Sequence, residues 1–282
     1  MKDIYYKHKY QKYKTKYKLL KEDNEINKIR KLQLQTGGNN QELIKLEGVT
    51  PDLYIPKDVA IVGNTPSLIE KDHSMIDKHQ YVIRINCSGL NNDKYKSNAG
   101  AKCDIFCIGW NYGYLNYLDK LVSLLKSDNY KNSCVICRQE SAKDYLIKNG
   151  IEQHRIFTVN NQSHFYCNWS VKNCLEKVNI DDDIMVSYDK HKDPNNKGGK
   201  YPTTGFMALM FVISSGIKPH VYGFSKEEKD IRKSLSYIYM DDSENGIKTR
   251  MNVRVFTHEH DVPSEHRIIN KLIDKNIITF IE

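Results

Sequence analysis

The chain has 282 residues, 39% of them hydrophobic, and a formal net charge of +8. That is enough for a sizeable α/β domain with its own core. No apolar run approaches the roughly 20 residues of a membrane-spanning helix, and the opening lacks the apolar stretch of a signal peptide. The charge is lopsided: 11 of the 43 basic and 4 of the 35 acidic residues fall within 1–34, which leaves the remainder close to neutral. A nucleic-acid-binding reading of the main body thereby loses most of its support. The seven cysteines are Cys87, Cys103, Cys107, Cys134, Cys137, Cys167 and Cys174. An odd number in a chain this long does not describe a disulfide scaffold and fits reduced thiols in the cytoplasm.

Taken in chain order, the first element is an arm. Tyr6, Tyr10, Tyr13, Tyr17 and Leu20 recur at helical spacing, with lysines on the other faces. This predicts a basic amphipathic helix that docks on the domain or associates with another copy of itself. The Lys/Tyr-rich opening resembles the leader of many giant DNA virus proteins, a resemblance that implies association with a viral factory or virion. "TGGNN" around Gly37–Asn40 is a flexible break, so residues 1–41 are read as arm and linker and 42–282 as the main domain.

Strands and helices then alternate. "DVAIVGN" (58–64), "YVIRIN" (81–86), "CDIFCIG" (103–109) and "SCVICR" (133–138) read as buried strands, and "NYLDKLVSLLKSD" (116–128) as an amphipathic helix. A helical or turn segment lies at 67–79. "TTGFMALMFVISSG" (203–216) reads as a helix leading into strand "HVYGF" (220–224). "SEHRIINKLIDK" (264–275) is a second such helix, followed by strand "IITFIE" (277–282). Such alternation predicts one Rossmann-like α/β domain with a mostly parallel sheet and ligands at the carboxyl ends of its strands.

Several residues at predicted strand ends and helix starts have the chemistry of a nucleotide site. Asn64 and Asn86 each end a predicted strand and offer both a donor and an acceptor, a pair suited to the base and ribose of one nucleotide. Thr203, Thr204 and Gly205 open a helix, where exposed N–H groups and the helix dipole favour an anion. The plainer reading of those threonines is a helix cap. His260 stands just before a helix that Asp261, Pro263 and Ser264 are suited to start, and the dipole there favours a neutral imidazole able to take a proton. Two metal readings compete with structural ones. Cys103, Cys107, Cys134 and Cys137 could form a zinc set, but "SCVICR" also reads as a strand in which cysteine is a small hydrophobe. Asp181-Asp182-Asp183 could mimic a metal-binding acidic motif, but reads first as a turn of solvated acids.

Together these pieces resemble the eukaryotic sialyltransferases of glycosyltransferase family 29. The family's large motif resembles residues 59–86, its small motif "YPTTGFMALMFVISSGIKPHVYGF" (201–224), and its very small motif "HDVPSE", His260 to Glu265. The resemblance implies a GT-A-like variant of the nucleotide-binding fold. It also implies a CMP-activated sugar donor bound by Asn64, Asn86, Thr203, Thr204 and Gly205, a glycan acceptor, and no metal or other cofactor. His260 would be the catalytic base and Glu265 would support that corner. Tyr239 would stand near the donor phosphate, with Ile238 where the family has histidine. The family's disulfide cysteines are replaced by Val59 and Gly216, and its membrane anchor has no counterpart.

The reaction implied is a single displacement with inversion, in which His260 takes the proton of an acceptor hydroxyl as CMP departs. A nucleoside monophosphate leaving group can be stabilised by hydrogen bonds and a helix N-terminus alone. Trp110, Tyr112, Tyr114 and Tyr117 are aromatics that either line an acceptor site or belong to the core. Two other readings remain: a transferase using a different nucleotide sugar, and a CMP- or glycan-binding protein without turnover.

Overall fold

Short apolar runs with no polar face make the strands at the centre of this protein. The computed structural model describes residue 14 and residues 42–65, 68, 71–86, 90, 93–109, 115–159, 168–184, 202–226 and 260–282. The arm reading for residues 1–41, apart from residue 14, therefore lies outside the described residues, as do Trp110, Tyr112, Tyr114 and Tyr239.

The strands are β1 (Ile44–Lys45), β2 (Val49–Thr50), β3 (Tyr54–Ile55), β4 (Val59–Val62), β5 (Tyr81–Ile85), β6 (Ile105–Ile108), β7 (Cys134–Cys137), β8 (Ile156–Val159), β9 (His220–Tyr222) and β10 (Thr279–Ile281). The helices are α1 (Asp93–Ala99), α2 (Leu115–Lys126), α3 (Glu140–Lys148), α4 (Asn168–Lys177), α5 (Thr204–Ser214) and α6 (Val262–Asp274), with a short 3-10 helix at Ser74–Lys78. Strands β1 and β3 form a small antiparallel ribbon. The other eight form one sheet in the order β10-β9-β4-β5-β6-β7-β8-β2. Every neighbouring pair is parallel except β2 with β8. The expected α/β fold with a mostly parallel sheet is what forms. Strands β1, β2, β3 and β8 and helices α1, α3 and α4 add to the elements read from the sequence.

The pleat sorts each apolar run onto two faces. Val59, Ile61, Ile83, Ile85, Ile105 and Ile136 pack beneath α5, α4 and α6. Phe106, Ile108 and Val135 face the other way, with Leu121, Leu125 and Leu146 of α2 and α3. Ala60, Val62 and Val82 face Ile76 and Ala99. Helix α5 is buried from Phe206 to Ser214, which explains why its sequence has no polar stripe. The same sorting removes the zinc reading of the cysteines. Cys107 and Cys134 join one face while Cys103 and Cys137 join the other. All five described cysteines are buried thiols outside any disulfide.

Val59 and Gly216 each have a structural role of their own. Val59 is a fully buried core residue. Gly216 has φ of 80° and ends α5, its N–H donating to Ile213 O while Ile217 N–H donates to Val212 O. That is a glycine helix stop, in a conformation costly to any side chain.

Asp181 and Asp183 are exposed, as a turn of solvated acids would have them, but Asp182 between them is not. The Asp182 side chain is only 1% exposed and is gripped by Arg267 and Lys271 of α6 at 2.9 and 2.8 Å. Asp183 adds a second contact to Arg267. Burial pushes the Asp182 carboxyl up, but the hydrogen bonds from Arg267 and Lys271 outweigh it and bring it from 3.8 down to about 2. A group with a depressed folded value stabilises the protein above its unfolded value and stops doing so as pH falls through the folded one. We expect stability, followed by denaturant midpoint, to fall between about pH 4 and about pH 2. In Asp182→Asn that part of the slope should be missing, with lower stability at neutral pH.

Candidate functional site

In an open parallel sheet, ligands bind where neighbouring strands send their connections in opposite directions. Here β4 continues to β5 on one side, while β9 continues to β10 on the other. The crevice beyond their carboxyl ends is built by glycines. A Cβ on Gly63 would lie 2.3 Å from Gly223 O and 2.7 Å from the Phe224 ring. A Cβ on Gly205 would lie 3.2 Å from the same ring, and one on Gly109 would lie 2.0 Å from Thr204 Oγ1. Gly205 leaves room for Phe224, which packs between the end of β4 and the start of α5.

Asn64 follows Gly63 in this crevice. It is 8% exposed, and its Oδ1 is buried with no hydrogen-bond partner. A buried acceptor left open in this way costs roughly 1–3 kcal/mol, which a ligand donor would relieve. Asn86 ends β5 with φ of 51°, a left-handed conformation that asparagine tolerates better than most residues. Its Oδ1 accepts from Gly109 N–H at 3.1 Å, tying the end of β5 to the end of β6. Beneath it, the wholly buried Arg84 donates to Lys102 O and Ala99 O, both at 2.8 Å, and fixes the strand's depth.

Thr203 is the N-cap of α5, its Oγ1 accepting from Phe206 N–H at 3.2 Å. The same hydroxyl donates to Glu265 Oε2, and Thr203 N–H donates to Glu265 Oε1, both at 2.7 Å. Met207 N–H is taken by Thr203 O. The amides of Thr204 and Gly205 are the ones left to meet an anion. Glu265 is 3% exposed and lies in the first turn of α6, whose N-cap Asp261 accepts from Ser264 N–H. His260 immediately precedes that cap. One carboxylate thus joins the helix carrying the imidazole to the helix carrying the anion-facing amides.

Sequence reading passed over two members of this corner. Phe224 looked like the end of a strand. Arg138 follows β7, and its Nη1 donates to Pro202 O at 3.0 Å, bringing a positive charge to the Thr203 turn. The one available signal for Arg138 was its position, a cation ending a predicted buried strand.

A doubly wound sheet with a helix N-terminus over its crevice is an α/β architecture with room for an anionic ligand at that end. The model of glycosyltransferase family 29 (sialyltransferase) matches residues 2–277, and the chain belongs to that family. By that membership it is a glycosyltransferase of the sialyltransferase family. No curated protein sequence matches the chain. Among solved structures it is similar to a mammalian sialyltransferase in complex with Gal-β-1-3GalNAc-ortho-nitrophenol, at 14% identity and a TM-score of 0.45, over 79% of this chain and 68% of that one. It is also similar to the sialyltransferase CstII from Campylobacter jejuni in complex with CMP-3FNeuAc, at 17% identity and a TM-score of 0.44, over 79% and 80% of the two chains. Family membership rests on the first of these findings.

Replacing Glu265 by Gln keeps the shape but sets an amide –NH2 against a donor of Thr203. The expected loss is roughly 1–3 kcal/mol of stability, the cost of an unsatisfied buried donor, read by denaturant unfolding.

Proposed function

We propose that this protein transfers a sialic acid or related acidic sugar from a CMP-linked donor to a hydroxyl of a glycan acceptor, without a metal and with inversion. The observation that carries the proposal is the pair of hydrogen bonds from Thr203 to Glu265. They hold the His260 end of α6 against the donor turn, beside the open Asn64 Oδ1. Asn64 and Asn86, at the ends of adjacent strands, serve the cytidine and ribose. The amides of Thr204 and Gly205, with the α5 dipole behind them, serve the phosphate.

In the reaction a ring nitrogen of His260 accepts the proton of the acceptor hydroxyl. Its oxygen forms the new bond to the anomeric carbon, and the bond from that carbon to the phosphate oxygen breaks. The electron pair leaves with CMP, whose phosphate gains one negative charge. Donors already aimed at that oxygen stabilise this charge better than in water, because they need no reorganisation. Arg138 supplies a cation at the same corner, in a chain with Ile238 where the family has histidine. The buried thiols, none in a disulfide among the described residues, and the cysteine-free positions 59 and 216 support a reducing, cytoplasmic setting.

Thermal-shift measurements with CMP, CDP, UDP and GDP test the donor class, with CMP expected to stabilise most. Preference for another nucleotide would favour a different nucleotide sugar. His260→Ala should keep CMP binding and lose roughly 10²–10⁴-fold in donor turnover, the usual contribution of a positioned base. Wild type and variant equally inert with CMP still bound would make this a binding protein and not an enzyme.

Arg138→Ala gives a separate readout. If the guanidinium stabilises the departing phosphate, turnover of CMP-sugar should fall at least tenfold, and the loss should shrink as salt screens the charge.

A further inference from the structure

A second group of ligating side chains lies at the other end of the sheet. Asp58 immediately precedes β4, His79 stands two residues before β5, and His220 opens β9. These strands are parallel neighbours, so their amino ends come together at the edge opposite the donor crevice. One ligating atom from each of Asp58, His79 and His220 lies within 4.8 Å of the other two. Among the described residues this is the one cluster with that property.

The arrangement has the features of a metal site as well as of a hydrogen-bonded one. Asp58 Oδ2 accepts from Gln80 N–H at 3.0 Å, which turns Oδ1 towards His79 Nδ1 at 2.6 Å. His79 Nε2 meets Tyr222 OH at 2.9 Å. The His79 and His220 rings lie 4.5 Å apart, and His220 Nδ1 is buried with no hydrogen-bond partner. A purely structural chain from Asp58 through His79 to Tyr222 is complete without His220. It leaves a buried nitrogen open beside it, which is unfavourable unless something else fills the place. Two imidazoles and one carboxylate suit a borderline divalent ion of the zinc class better than calcium or magnesium. If an ion takes His79 Nδ1, the ring proton moves to Nε2 and donates to Tyr222 OH, the outer hydrogen bond that orients ligating histidines.

We propose that Asp58, His79 and His220 bind one zinc-class divalent ion that ties the amino ends of β4, β5 and β9 together, apart from the transfer reaction. Water completes the coordination from the partly exposed side, where the Asp58 side chain is 39% accessible.

The test uses the full chain, freed of metal with a chelator and titrated with ZnCl2 by calorimetry, alongside MgCl2. The expected result is one zinc per chain, a raised unfolding temperature, and no comparable effect of magnesium. His220→Gln and Asp58→Asn should each weaken zinc binding at least tenfold while CMP still raises the unfolding temperature, which shows that the variant is folded. Asp58→Asn changes a partly exposed group and guards against a folding defect in His220→Gln. Absence of zinc binding in the wild type, or unchanged affinity in both variants, overturns the site. Either result leaves the proposed donor chemistry standing, since CMP binding is scored separately.

Discussion

A buried carboxylate shared between two helix starts is the constraint on which the site depends. Glu265 is almost wholly out of water and still has both oxygens engaged, one by an amide and one by a hydroxyl of the same residue. A buried charge is tolerable only when its hydrogen bonds are made, so the two helices are held in one relative position. The same bonds divide labour along the first turn of α5. Thr203 is spent on the protein's own carboxylate, and the next two amides stay available for an anion from outside. A helix terminus that was fully satisfied internally would have no affinity left for phosphate.

The crevice itself is shaped by what is absent. At Gly63 and Gly109 a Cβ would lie well under 3 Å from a neighbouring atom, and at Gly205 it would press on the Phe224 ring at 3.2 Å. Phe224 fills the seam between two of them and forms an apolar floor next to the amides. A dry floor raises the worth of each hydrogen bond made above it, because the local dielectric is lower than that of water. The open Oδ1 of Asn64 belongs to the same economy: it is an acceptor held in place before its partner arrives, so that ordering it costs nothing at the moment of binding.

Much of this was legible in the residues because each central strand is an unbroken apolar run and each site helix announces its own start. "VAIV" and "CVIC" could be little other than buried strands, and Asp261 with Pro263 marked the beginning of α6. What stayed hidden depends on register. Nothing in the sequence tells Cys134 from Cys137 until the pleat sends them to opposite faces. Phe224 and Gly63 become partners only once β9 is known to lie beside β4. The pairing of Asp182 with Arg267 and Lys271 was missed because a run of three acids looks the same whether it meets water or a helix carrying cations. Strands β1, β2 and β3 were passed over because two residues show no alternation, and β8 and helices α1, α3 and α4 because their polar flanks blur the periodicity.

Strand order also bears on how the chain is made. The edge of β4 that β9 covers belongs to a strand near residue 60, and its partner appears only near residue 220. A ribosome would release the whole run from β4 to β8 before anything could cap that edge, leaving unpaired backbone next to hydrophobic side chains for the interval. Nascent protein is then most vulnerable to mispairing beside the crevice, at an edge that stays open until β9 emerges.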